Sequence, residues 1–174
     1  MSFDIGLLQF VLQLRRPWLD DVMVTASAIG AGGYVWVVIA AIAMVFPQRR
    51  VGAYRALLAI LFAYVTVEIL IKPFVFRTRP FDVVQDVALL DQRPITASFP
   101  SGHAAAAFAA ALTLSRLFPS AAWLLWPLAF LIAFSRLYLF VHWPSDVLAG
   151  IVWGLICGWF VLGGRQTNAI AHSR

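Results

Sequence analysis

The sequence predicts an all-helical integral membrane protein: a bundle of about five transmembrane helices with an interfacial helix at its N-terminus. Three observations predict it. Of 174 residues, 62% are hydrophobic and only 12% charged, and the mean hydropathy is +0.86. A soluble domain of this size runs nearer half apolar and a quarter charged, so the solvent for most of this chain is a bilayer. Apolar runs of membrane-spanning length recur along the chain, interrupted by one long polar segment, 72–99. The length fits a single membrane-embedded domain, 1–174.

Residues 3–14, FDIGLLQFVLQL, make roughly three helical turns, too few to cross a hydrocarbon core about 30 Å thick. Ile5, Leu8, Phe10, Val11, Leu12 and Leu14 give a broad apolar side, with Asp4 and Gln13 off it. Residues 1–18 are therefore expected to lie in the interface, closed at headgroup level by Arg15, Arg16, Pro17 and Trp18. The early Asp4, and Arg-Arg-Pro where a small-residue cleavage site would fall, argue against a signal peptide.

The first span is expected at 22–46, ended by Pro47, and the second at 53–71, running into Lys72-Pro73. Residues 72–99 form the one long loop. The third span is expected at 101–117 and the fourth at 121–139. A short turn carries His142, Trp143 and Pro144, and the fifth span runs on to Gly163-Gly164. The tail, 165–174, is polar. Cys157 is alone, so no internal disulfide is possible.

Five spans put the loop 72–99 and the turn 140–144 on one face with the N-terminal helix. All eight acidic residues fall on that face. The opposite face, built of short loops, carries Arg49, Arg50, Arg55, Arg116, Arg165 and Arg174 and no acid. The acid-free face is expected to be cytoplasmic, which puts the polar loop outside the cell membrane. The net charge of +5 does not indicate nucleic acid, because the basic residues sit at the ends of apolar runs.

Three short stretches meet on the acid-bearing face: KPFVFRTRP (72–80), FPSGH (99–103) and SRLYLFVHWPSD (135–146). In the first, Lys72 and Arg79 could clamp an anion, although cations at the end of a span usually snorkel to headgroups. Arg77 is assigned to snorkelling, so that Arg77→Ala should be mild. Glu68, one turn before Lys72, can pair with it. In the second, Pro100 and Ser101 open a helix whose first N–H groups lack intrahelical partners. Gly102 bares that backbone, and a helix N-terminus of this kind is a phosphate cradle. The plainer alternative is ordinary capping, with His103 an interface residue.

The third stretch is the most specific. Pro144 suits the first position of a helix, which puts Asp146 in its first turn, within reach of His142 just before it. A bond from His142 Nδ1–H to Asp146 would fix the tautomer and leave Nε2 as nucleophile or base. The alternative is that Asp146 merely caps the helix. Arg136 supplies a planar fork suited to phosphate oxygens. His172 lies in the tail. Metal is a poor fit, since His103 and His142 lack short ligand spacing and three cations lie near them.

These residues resemble a known family. K-x6-R-P (Lys72, Arg79, Pro80), P-S-G-H (Pro100 to His103) and S-R-x5-H-x3-D (Ser135, Arg136, His142, Asp146) are similar to the type 2 phosphatidic acid phosphatases, membrane lipid phosphatases whose site is shared by soluble vanadium haloperoxidases. The resemblance covers residues 53–163 and implies a haloperoxidase-like helical core and a metal-independent, cofactor-free, two-step phosphoryl transfer.

In that scheme His142 attacks phosphorus and becomes a phosphohistidine, with Asp146 holding its ring. His103 protonates the leaving oxygen and then assists water. Lys72, Arg79, Ser101, the Gly102 backbone and Arg136 hold the phosphate oxygens. The wording SRLYLFVHWPSDVLAG resembles small bacterial undecaprenyl diphosphate phosphatases, which points to undecaprenyl diphosphate as substrate. Phosphatidic acid and phosphatidylglycerol phosphate are the alternatives, and a lipid-phosphate binding or transport protein without turnover is the alternative of another class. The loop 81–99, with Asp82, Asp86, Asp91 and Arg93, is expected to cover the site.

Overall fold

A computed structural model describes residues 2–84 and 87–163, and among these every regular element is helical. The tail 165–174, with His172, Arg165 and Arg174, and Asp86 of the covering loop lie outside the described residues. Helix α1 is Ser2–Leu12. Its stripe Asp4, Leu8 and Val11, spaced by four and three residues, is buried against the protein, while Phe3 and Phe10 face outward. Asp4 thus belongs to the inward side of this helix, where the sequence placed it off the packed face. Leu8 packs with Phe140 and Trp143, and Val11 with Tyr138, Leu139 and Val141. Helix α1 therefore lies on the turn that carries His142.

Pro17 opens α2 (Pro17–Gly30), where its missing N–H costs nothing. A tight turn at Ala31–Gly33 joins it to α3 (Tyr34–Met44). The expected span at 22–46 is thus a longer, kinked rod beginning at Pro17. The kink needs positive φ at Gly32 and Gly33, 56° and 75°, which glycine adopts without strain.

Helix α4 (Arg50–Tyr64) continues through a π-helical stretch, Val65–Ile71, into α5 (Lys72–Val75). The expected long loop therefore starts as helix, and a further short turn, α6 (Pro80–Val83), lies within it. Helices α7 (Gly102–Leu117), α8 (Ala122–Tyr138) and α9 (Pro144–Val161) complete the bundle.

Among the described residues, four helical runs are long and apolar enough to cross a membrane: Pro17–Met44, Pro47–Val83, Pro119–Tyr138 and Pro144–Val161. Helix α7, the expected third span, has 16 residues, roughly 24 Å at the α-helical rise. It is the inner rod, enclosed by α4, α8 and α9, and Ala104 to Ala111 are all buried. Small side chains let the backbones meet. On α9, a Cβ added to Gly150 or Gly154 would strike the carbonyl oxygen of Ser101 or Ala105, and one added to Gly158 would press on Leu112 and the Ala109 carbonyl oxygen at 3.1 and 3.2 Å. This matched four-residue spacing is close packing by small residues, as expected in lipid. It locks the first turn of α9, which holds Asp146, to the first turn of α7, which holds His103. The Ser101 N–H also donates to the Asp146 carbonyl at 3.0 Å.

Candidate active site

The segment that begins with α5, the start of α7, the end of α8 and the start of α9 bring the three polar stretches to one end of the bundle. Lys72 closes the π-helical stretch and is buried. Its Nζ donates to Glu68 Oε1 at 2.6 Å and to Thr96 Oγ1 at 3.2 Å. The expected pairing with Glu68 is therefore present. Glu68 also stands over the start of α7, because a Cβ on Gly102 would lie 2.5 Å from Glu68 Oε1. Glycine at 102 leaves the room that this carboxylate uses.

Arg79 is held through all of its N–H groups. Nε donates to the Thr96 carbonyl at 2.8 Å and Nη1 to the Val141 carbonyl at 2.7 Å. Nη2 donates to Thr96 Oγ1 and to the Ala97 carbonyl, both at 3.3 Å. The remaining contact runs from Nη1 to His142 Nε2 at 3.4 Å. Arginine has no lone pair to offer. The contact therefore requires Nε2 to be the acceptor, with the ring proton on Nδ1.

His142 follows α8 in a turn pinned by the Arg136 carbonyl, which accepts from Val141 N at 3.2 Å and His142 N at 3.3 Å. The ring is 2% exposed. Burial first, and then the charges of Arg79, Arg136 and Lys72, push its pKa from 6.5 down to about 3, against the opposing pull of Asp146. At neutral pH the imidazole is neutral. Nδ1 stands 3.6 Å from Asp146 Oδ2, beyond hydrogen-bonding range, and has no other partner.

Asp146 is fully buried and its oxygens are taken up elsewhere. Oδ2 accepts from Trp143 N at 2.9 Å, the capping bond, and from Ser98 Oγ at 2.5 Å. Oδ1 accepts from Arg77 Nη1 at 2.5 Å. The carboxylate therefore caps α9 and faces the imidazole at once.

Arg136 is buried, and its Nη1 donates to Ser27 Oγ of α2. Ser27 in turn donates to Asp91 Oδ2 at 3.0 Å, which lies 3.9 Å from Arg136 Nη1. Of the expected covering residues, Asp91 thus reaches the site, while Asp82 and Arg93 pair with each other at the surface. Ser101 caps α7, accepting from Ala104 N at 3.4 Å. His103, in the first turn of α7, has a buried Nε2 without a partner and lies within Coulombic reach of Arg136, His142 and Lys72.

The structure corrects the reading of Arg77. It does not snorkel: its guanidinium bonds to Asp146, Ser145 and Asp4 beneath the turn. Ser27, Thr96, Ser98 and Asp4 are site neighbours that the sequence did not flag. Ser27 alone carried a signal, as a hydroxyl inside an apolar span. Among the described residues, no three of His, Cys, Asp and Glu are grouped as a metal ion would require.

Comparison with known proteins shows the family. A curated undecaprenyl-diphosphatase of Sulfolobus acidocaldarius is 32% identical over 88% of this chain and 74% of its own. The crystal structure of Aquifex aeolicus LpxE superposes with a TM-score of 0.80 at 32% identity, covering 93% of this chain and 96% of that one. A transmembrane PAP2-type phosphatidylglycerolphosphate phosphatase from Bacillus subtilis gives a TM-score of 0.76 at 28% identity, over 94% and 84% of the two chains. The family model matching residues 52–170 takes in every motif position described above, and the chain belongs to the PAP2 superfamily of phosphatases.

Proposed function

We propose that this membrane phosphatase hydrolyses undecaprenyl diphosphate to undecaprenyl phosphate, with His142 as nucleophile. The single observation that carries the mechanism is the placement of the His142 ring: Nε2 lies 3.4 Å from the donor Arg79 Nη1, and Nδ1 lies 3.6 Å from Asp146 Oδ2. In the first step Nε2 attacks the terminal phosphorus and the bridging P–O bond breaks. His103 delivers a proton to the leaving oxygen. In the second step water attacks phosphorus, His103 takes the water proton, and the P–N bond breaks to release phosphate. Asp146 stabilises the positive imidazolium that exists between the steps.

Lys72, Arg79, Arg136, the Ser101 hydroxyl and the Gly102 N–H hold the non-bridging oxygens as charge shifts among them. Two carboxylates already sit on this clamp, Glu68 on Lys72 and Asp91 near Arg136. A phosphate entering the site exchanges with or displaces them. The site lies at the end of the spans, where a lipid can present its headgroup while its chain stays in the bilayer. Arg49, Arg50, Arg55 and Arg116 at the opposite end favour a cytoplasmic location for that end. The site then faces outward across the cell membrane.

The substrate is tested by competition. Purified protein is offered undecaprenyl diphosphate, phosphatidic acid and phosphatidylglycerol phosphate together, and the initial rate is measured for each. The diphosphate should be hydrolysed fastest, and a higher rate on either glycerophospholipid would replace it as substrate. His142→Ala should abolish phosphate release while the protein stays folded in detergent, and persistent release would remove His142 as nucleophile.

A further inference from the structure

We infer that Asp4 and Arg77 are positioning residues of the phosphoryl-transfer site, and that through them the docking of helix α1 sets the geometry of His142. The inference rests on the reading of His142 as nucleophile. It starts from how Asp146 is held. Oδ2 is fixed by Ser98 Oγ and Trp143 N and faces His142 Nδ1. Oδ1 is fixed by Arg77 Nη1. With both oxygens gripped, the carboxylate plane cannot turn, and one oxygen is kept in front of the ring. Arg77 also supplies the positive charge that a fully buried carboxylate needs to remain ionised.

Arg77 is itself held from the far side. Its Nη2 donates to Asp4 Oδ2 at 2.9 Å, and its Nη1 also reaches Ser145 Oγ at 2.8 Å. The guanidinium lies 5.6 Å from the ring centroid of Trp143, the residue next to His142. Asp4 accepts two further bonds from the first turn of α9: Ser145 N to Oδ1 at 3.1 Å and Ser145 Oγ to Oδ2 at 2.7 Å. The acid of α1 thus grips both the helix that carries Asp146 and the arginine that orients it. The relay runs Asp4, Arg77, Asp146, His142, with one contact per link. None of the hydrogen bonds of Asp4 or Arg77 goes to Lys72, Arg79 or Arg136. Loss of the relay should therefore slow the chemical step and leave phosphate binding intact.

The test is steady-state kinetics on undecaprenyl diphosphate with the full-length protein in detergent. Arg77→Ala should lower kcat about a hundredfold and Asp4→Asn about tenfold, the scale seen when the partner that orients a functional histidine is removed. KM should stay within about threefold of the wild-type value. Arg77→Lys should recover part of the loss. The double variant should lose less than the product of the two single losses, because part of what Asp4 does passes through Arg77. Arg116→Gln, an equal loss of charge at the opposite end, should change nothing.

Wild-type kcat in Asp4→Asn and Arg77→Lys would overturn the inference. So would losses confined to KM, or losses that multiply in the double variant. Should Arg77→Ala fail to fold, Asp4→Asn and Arg77→Lys carry the test. Wild-type protein that releases no phosphate from any of the three lipids would instead overturn the phosphatase reading beneath it, a distinct result.

Discussion

Replacing Arg79 by lysine keeps the charge and removes the fork, which isolates what the geometry contributes. The guanidinium makes four bonds to protein oxygens, at 2.7 to 3.3 Å, and one longer contact to His142 Nε2 at 3.4 Å. The longer contact is the one an incoming phosphate oxygen can take over without disturbing the rest. It lies beside the atom proposed to attack. The other four tie segment 96–97 and the Val141 carbonyl to one rigid plane. A lysine ammonium can satisfy one or two of these acceptors and leaves the others buried without donors, at about 1–3 kcal/mol each. Loss of one aligned donor to the transition state costs a further ~2.7–4 kcal/mol, or about 10²–10³ in kcat. Arg79→Lys is thus expected to lower kcat at least a hundredfold and to lower the Tm in detergent. The assay is phosphate release at saturating lipid, with a melting curve on the same sample. A variant within about threefold of wild-type kcat would show that a point charge suffices, and the argument from the fork would fail.

Three further outcomes are expected. EDTA should leave the rate unchanged, and inhibition reversed by a divalent cation would place a metal in the reaction. Below pH 6.5 the unfolded chain protonates His142, while the folded chain resists until about pH 3. The unfolded state then binds more protons, so stability is lost as the pH drops across that window, by up to about 1.4 kcal/mol per unit. The Tm of wild type should therefore drop relative to His142→Gln between pH 6.5 and 5, and parallel curves would mean that the folded ring protonates freely. Gly154→Ala presses a methyl group on the Ala105 backbone and should destabilise by about 1–3 kcal/mol. Gly6→Ala, with nothing within 4 Å of its added carbon, should melt like wild type; equal behaviour of the two would refute the close α7–α9 packing.

Residues that carry their chemistry within a short stretch were legible in the sequence. The Ser101-Gly102-His103 helix start and the His142, Asp146 pair could be read from spacing, because a helix start fixes local geometry. Partners supplied from far along the chain were not. Ser27 meets Arg136 across 109 positions, and Asp4 meets Arg77 across 73. No local period encodes either contact.

Arg77 was misread for a physical reason: a cation at the end of a span ordinarily finds headgroups, and only the burial of Asp146 beside it reverses that preference. Helix α1 was misread in its facing, because its outward residues are as apolar as its inward ones. At α7 the alanine run was legible as a helix of the bundle, while its place as the enclosed rod was not, because burial by neighbours leaves no mark on a local period. The kink at Ala31–Gly33 was visible as glycines in the sequence, yet periodicity alone does not say that a rod bends.

The enclosed alanine helix has a mechanical consequence. A bilayer that thickens or thins acts first on the four long rods that touch it, and they can answer by tilting. The rod bearing His103 is shielded from that load by its neighbours. Its glycine-lined seam with α9 moves both halves of the reaction centre together. Changes in the surrounding lipid are thus absorbed at the periphery of the bundle, and the spacing of the reacting groups is left to the interior.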